Sequence, residues 1–109
     1  MLVTDQMVQA AFDFMVEQIE TAASAAAEKT RADGALKAQR ARLFLEHNGT
    51  VAEREARADC HPLMLEAVER KAKADHLVTW HQKKEKHAIA VIDAWRTESA
   101  NYRGRERIG

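Results

Sequence analysis

Near the start of the chain, apolar side chains recur at steps of four and three: Val8, Phe12, Met15, Ile19, Ala22 and Ala26. This is the seam spacing of a packed helix. After Ala26 the line weakens, because Lys29 and Asp33 fall on the same register. It resumes through Ala32, Leu36 and Leu43, as a stutter allows. Gly34 lies inside the run. In a helix interior it costs about 1 kcal/mol against alanine, so it marks a weak point, a close helix approach or a hinge. Thr4 is a candidate cap, and Asp5 sits where negative charge favours the helix dipole. The pattern predicts one helix over about 4–46.

The rhythm stops in the stretch HNGTVAEREARADCHP, residues 47–62. Asn48-Gly49 is a stop signal, since either residue can take the left-handed conformation after a last turn. Thr50 followed three residues later by Glu53 is a capping-box pattern that opens a new helix over about 51–59. Arg54 and Arg57 are placed to pair with Glu46 or Asp59 around the turn. Pro62 disfavours helix at His61 and suits the first turn of the helix that follows.

From Pro62 no further glycine or proline occurs until Gly104. Leu65, Val68 and Ala72 form one apolar line. Leu77, Trp80, Ala88, Val91, Trp95 and Tyr102 form the next, with Ser99 on the same side and His76 and Lys84 weakening the middle. A helix over about 62–103 follows, about 60 Å long at 1.5 Å per residue, with a frayed tail over 104–109. Two helices of similar length with a short connection predict an all-α fold: a long antiparallel helical hairpin with a short helix at the bend. Charge favours the same pairing. Residues 1–28 contain Asp5, Asp13, Glu17, Glu20 and Glu28 and no lysine or arginine. Residues 83–109 contain Lys83, Lys84, Lys86, Arg96, Arg103, Arg105 and Arg107 against four acids. Laid side by side, these ends disfavour wrong registers.

Composition refines this picture more than it redirects it. The 109 residues include 17 basic and 17 acidic side chains, so net charge points to neither a nucleic acid nor a membrane surface. Helix formers dominate, and the aromatics are few: Phe12, Phe14, Phe44, Trp80, Trp95 and Tyr102. Such a chain builds a thin core as one hairpin domain. The expected assembly is therefore a homodimer forming a four-helix bundle, which covers the exposed tryptophan and leucine faces. The single Cys60 excludes an internal disulfide framework and fits a reducing cytoplasm. The acidic residues of the N-terminal run exclude both a signal peptide and a membrane span.

Candidate chemistry is sparse. Cys60 and His61 are adjacent, His76 and His81 are five apart, and His47 and His87 stand alone. None has the i, i+4 spacing that sets two metal ligands on one helix face. No phosphate loop or nucleophile elbow occurs, and neighbours such as Cys60 and His61 diverge by about 100° on a helix. The expectation is no enzyme, no metal and no cofactor. Basic residues cluster at Arg70, Lys71 and Lys73, at Lys83, Lys84 and Lys86 beside Trp80, and at Arg103, Arg105 and Arg107. Solvated helix faces usually look like this. Read as a site, the last two clusters grip phosphates while Trp80 or Tyr102 stacks on bases.

Three segments together resemble a known group: Leu43-Phe44-Leu45, Thr50-Val51-Ala52-Glu53-Arg54-Glu55-Ala56 and Trp95-Arg96-Thr97-Glu98-Ser99-Ala100. They resemble small α-helical proteins of tailed bacteriophages, encoded in early gene blocks near recombination and single-strand-binding genes. The resemblance covers roughly residues 28–103, and Trp95-Arg96-Thr97 is its most specific part. These proteins mostly lack an assigned activity, so no catalytic residue carries over. The resemblance implies a phage origin, action in the host cytoplasm, and a role in nucleic-acid metabolism or host takeover. The expected function is a non-enzymatic interaction protein. It would be an adaptor or accessory factor for a replication or recombination protein, or an inhibitor of a host defence protein. Trp80, Trp95, Arg96 and Tyr102 are the expected interface. Direct nucleic-acid binding through the basic clusters is the alternative.

Overall fold

The computed structural model describes residues 2–108, with side chains up to residue 106. Among them the chain is all-helical: α1 (Asp5–Glu17), α2 (Ile19–Glu46), α3 (Val51–Cys60) and α4 (Pro62–Ile108). The chain divides into two compact units. The first comprises Met1–Ala22 with Trp80–Gly109, and the second Ala23–Thr79.

The helix ends follow their local chemistry. Thr4 caps α1, its hydroxyl accepting from the Met7 N–H at 3.1 Å. Thr50 caps α3, accepting from the Glu53 N–H at 3.2 Å. Gly49 takes φ +121, where a side chain is strained. Pro62 opens α4, and the preceding His61 is extended, with φ −68 and ψ 139. His61 also caps α4: its Nδ1 accepts from the Leu63 N–H at 3.1 Å, and its carbonyl accepts from Met64 at 2.9 Å. The helix expected over about 4–46 is instead two helices, parted at Gln18 (φ −97, ψ 1). The backbone ladder persists through that residue, with Gln18 N–H donating to Phe14 and Ala22 N–H to Gln18. Gly34 is no break: helix α2 runs through it, and an added Cβ there meets nothing within 4 Å. Helix α4 runs on through Gly104 to Ile108.

In the second unit α2 and the first part of α4 run antiparallel. Lys29 meets Asp75 and Asp33 meets Lys71, while Leu36 and Leu43 pack near Met64. On α2 the buried and half-buried residues include the series Ala25, Lys29, Ala32, Leu36, Gln39 and Leu43. On α4 they include Met64, Ala67, Lys71, Ala74 and Val78. Both series alternate steps of four and three, the spacing at which two helices stay in contact along a left-handed supercoil. Leu43 is fully buried against Ala58 of α3 and Met64. The two arginines of α3 do not pair with Glu46 or Asp59. Arg54 lies over the Phe44 ring at 4.4 Å and donates to the Phe44 carbonyl, and Arg57 donates to the Asn48 carbonyl. They satisfy carbonyls freed where α2 ends. Asp59 is taken by Arg40 at 3.3 Å and Glu46 by Arg42 at 3.7 Å.

The first unit is also antiparallel. The Leu2 and Val3 N–H groups donate to the Glu98 carboxylate, and Phe14 meets Trp80 edge-on at 6.3 Å. Its core is Val3, Val8, Ala11, Ala88, Val91 and Ile92, with Phe14, Met15, Ala94 and Trp95 packed against it. Thus Ala11, and not Phe12, is the inward residue after Val8. Ile19, placed in the seam by the hydrophobic pattern, is 67% exposed. On α4 of the second unit, Leu65, Val68, Ala72 and Leu77 likewise stay outside while Ala67 and Ala74 turn inward. Two helices that meet along one line admit small side chains there, and the larger ones are displaced to the flanks.

The ion pairs are also placed differently from expectation. Those that cross between helices lie within the second unit: Glu28–Arg70, Lys29–Asp75, Asp33–Lys71 and Arg40–Asp59. Among the described residues no ion pair joins the acidic N-terminal arm of the first unit to its basic C-terminal arm. Asp13, Glu17, Glu20, Lys83, Lys84 and Lys86 are all exposed on the outer flanks.

Candidate functional site

Three of the four expected interface residues converge. Trp95, Arg96 and Tyr102 line one shallow hollow of about 300 Å³ with Ser99 and Arg103. Helical geometry brings them together, since positions 95, 99 and 102 differ by four and three, and 96 and 103 by seven. Trp95 is half-buried on the core of the first unit, so its ring is held in place. Arg96 and Tyr102 stand exposed beside it. The hollow pairs an immobilised indole with a phenol and two guanidinium groups, the composition of interface hot spots.

Trp80 does not belong to that group. It packs edge-on to Phe14 and to His81, with ring centroids 5.0 Å apart in the second case, and the Lys84 ammonium lies over its ring at 5.6 Å. Lys83, Lys84 and Lys86 are exposed, as are Arg103 and Arg105. The Arg107 side chain lies outside the described residues. Lys84 occupies a face of Trp80 that a nucleobase would need, which leaves phosphate contacts as the cluster's readier chemistry.

The hydrophobic pattern missed a more voluminous feature of the same unit. A groove of about 710 Å³ is lined by Phe12, Phe14, Met15, Val16, Gln18, Ile19 and Ala22 on one side. His81, Glu85, Ile89, Ile92, Asp93 and Arg96 line the other. Val16 is 70% exposed and Ile19 67%, so the groove has an apolar lip. His81 is only 6% exposed, and neither ring nitrogen has a hydrogen-bond partner. A neutral imidazole carries one donor and one acceptor, and leaving both unmet in a buried place is costly. One signal for His81 does exist in the sequence: it continues the step series Ala74, Val78, His81. A search for large apolar residues passes over it.

The electrostatics of the second unit are structural. Arg70 donates to both carboxylate oxygens of Glu28, at 2.8 and 3.3 Å, and these bonds hold Glu28 below the usual carboxylate range. Lys71 donates to Asp75 at 2.6 Å, which lowers the Asp75 carboxyl and raises the Lys71 ammonium. Asp33 Oδ1 and the second Asp75 oxygen are buried without hydrogen bonds, yet lie 3.4 and 3.8 Å from the ammonium groups of Lys71 and Lys29. They are held by charge rather than by directed bonds. Lys29 and Asp33, which interrupt the apolar line, therefore belong to the helix contact as a cross-linked ionic cluster.

Among the described residues no group of three or more histidine, cysteine, aspartate or glutamate side chains is placed to hold a metal ion. The rings of His47 and His61 lie 6.5 Å apart at the bend, and Cys60 is exposed beside them. No helix among the described residues is long and apolar enough to cross a membrane. In comparisons with known proteins, no family model, curated protein or solved structure matches the chain.

Proposed function

We propose that this chain is a non-enzymatic interaction protein of phage origin. It works in the host cell as an accessory or adaptor for a replication or recombination protein, or as an inhibitor of a host defence protein. The observation that carries the reading is the hollow where Trp95, Arg96 and Tyr102 meet. Binding energy concentrates in such aromatic and arginine clusters, and a surface of this kind needs no catalytic group. Adaptor and inhibitor share this requirement and differ only in what the partner does. The working assembly is a homodimer in which two helical hairpins form a four-helix bundle. The large apolar residues left exposed in the first unit, Phe12, Val16, Ile19 and Ile89, support it.

The test is affinity capture from phage-infected bacteria with the wild-type chain and with an Arg96→Ala/Tyr102→Ala variant, read by mass spectrometry. Both residues are exposed, so the variant keeps its fold. A protein of nucleic-acid metabolism or defence retained by the wild type and depleted at least tenfold with the variant supports the reading. Equal capture by both removes the hollow as the interface.

Direct nucleic-acid binding has narrower support, from the exposed Lys83, Lys84 and Lys86 beside a half-exposed Trp80. It predicts a salt-dependent mobility shift with single-stranded DNA that weakens when the three lysines become alanine. No shift at low salt retires it.

A further inference from the structure

We propose that the groove between α1 and the C-terminal part of α4 in the first unit is the seat of a second copy of this chain. There the copy's acidic arm lies along the basic arm of the first, and its side chains meet the ring of His81. The proposal rests on the dimeric reading above and names where the two copies join.

Three observations choose a second copy over an unrelated partner. The first is charge. The arm before Ala23 carries Asp5, Asp13, Glu17 and Glu20 and no lysine or arginine, a charge of −4. The arm from Trp80 onward carries seven lysines and arginines against four acids, a charge of +3. A two-fold axis sets each acidic arm beside a basic one, where Arg96 of the groove wall and the exposed Lys83, Lys84 and Lys86 next to it outnumber the wall's Glu85 and Asp93. The second is that these charges are not consumed within the chain: among the described residues no ion pair joins the two arms. The third is the groove itself, with Val16, Ile19 and Ile89 at its lip and the unpaired His81 in its wall. Val16 and Ile19 flank the helix interruption at Gln18 and share one groove with Phe12 and Ile89, so their exposed surfaces form a single apolar lip.

His81 gives the interface its register. A purely apolar groove permits sliding by a turn, whereas a buried polar side chain is satisfied in one alignment only. Single polar residues fix coiled-coil register and oligomer state in the same way, at a cost in stability. Aliphatic replacement of His81 is therefore expected to keep or tighten association while spreading it over several states.

The test is sedimentation velocity of the full chain at about 10–100 µM, with far-UV circular dichroism on each variant to verify helix content. The wild type is expected at twice the 12.3 kDa chain mass. Glu17→Lys/Glu20→Lys, at exposed positions that leave the fold intact, should raise the dissociation constant at least tenfold. Adding Lys83→Glu/Lys86→Glu to it should restore the dimer. Val16→Glu/Ile19→Glu should give helical monomers, Leu65→Glu/Val68→Glu in the second unit should remain dimeric, and His81→Leu should give mixed oligomers. A monomeric wild type overturns both the seat and the dimer on which it rests. A dimer broken by the Leu65/Val68 pair and indifferent to the Val16/Ile19 pair overturns the seat alone. Failure of the charge swap to restore association overturns the arm-to-arm arrangement.

Discussion

Leu43 and Leu45 stand two residues apart near the end of α2, and the structure assigns them opposite fates. Leu43 is fully buried against Ala58 and Met64 with Leu36 beside them, and Leu45 is 74% exposed. Leu43→Ala removes three carbons from a filled site. At roughly 0.8 kcal/mol per buried carbon the lost transfer term is about 2.4 kcal/mol. A cavity that relaxes only partly raises the total to about 3–4 kcal/mol. Leu45→Ala removes the same carbons from water and is expected within about 0.5 kcal/mol of the wild type. Domains of this size have about 5–15 kcal/mol in total, so the first change consumes a large share. Urea denaturation followed by far-UV circular dichroism measures both. A lower midpoint with an unchanged slope for Leu43→Ala, beside an unmoved Leu45→Ala curve, is expected. Equal midpoints for the two variants would refute the assignment of the bend cluster as the core of the second unit.

Other consequences are as direct. Gly34→Ala should stabilise by about 0.5–1 kcal/mol, because the residue is helical and exposed and the added methyl meets nothing within 4 Å. A lower thermal midpoint would restore the hinge. Thr50→Ala should cost about 1 kcal/mol by freeing the Glu53 N–H, while Thr50→Ser should nearly match the wild type by the same melt. Glu28 and Asp75 have folded carboxyls below their usual range, so their contribution is present at neutral pH and disappears as pH falls from about 5 toward 2. Lys71 has the opposite sign: raised on folding, its contribution is lost only as pH climbs above about 10. A thermal midpoint that falls on the acid side, and falls less in Glu28→Gln/Asp75→Asn, checks the assignment.

Local chemistry was the legible part of this sequence. Thr4, Asn48-Gly49, Thr50 with Glu53, and Pro62 act through neighbours a few residues away, and each sits at the helix end its type implies. The inward faces were legible in part: Val8, Met15, Ala32, Leu36, Leu43, Ala88 and Val91 turn inward as their spacing predicts, and where the pattern failed the reason is side-chain size. Hydrophobic ranking selects Phe12, Ile19, Leu65 and Val68, but the contact line of two helices takes Ala11, Ala25 and Ala74. It also takes Lys29 and Lys71, whose charges are met across the contact, so an apolar template reads them as gaps. What registered as a stutter after Ala26 is a steady alternation of four and three once these residues are counted. The hollow was partly legible, since Trp95, Ser99 and Tyr102 share a helix face and Arg96 borders it. Trp80 was not separable from them, because helical spacing does not reveal that Phe14 and Lys84 engage its ring. The asymmetry between the arms was legible from the positions of the charges, although it cancels in the total.

The central claim is that alanines hold much of the helix contact line and leave large apolar residues such as Leu65 on its flanks. It is tested most directly by placing a glutamate at Ala32, which is 1% exposed, and separately at Leu65, which is 59% exposed. Hydrophobicity alone ranks the leucine as the graver loss. Thermal melts read by circular dichroism should show Ala32→Glu losing several kcal/mol, since a long charged side chain is forced into a filled contact line. Leu65→Glu should melt close to the wild type. The reverse order, with Leu65→Glu unfolding first, would contradict the account.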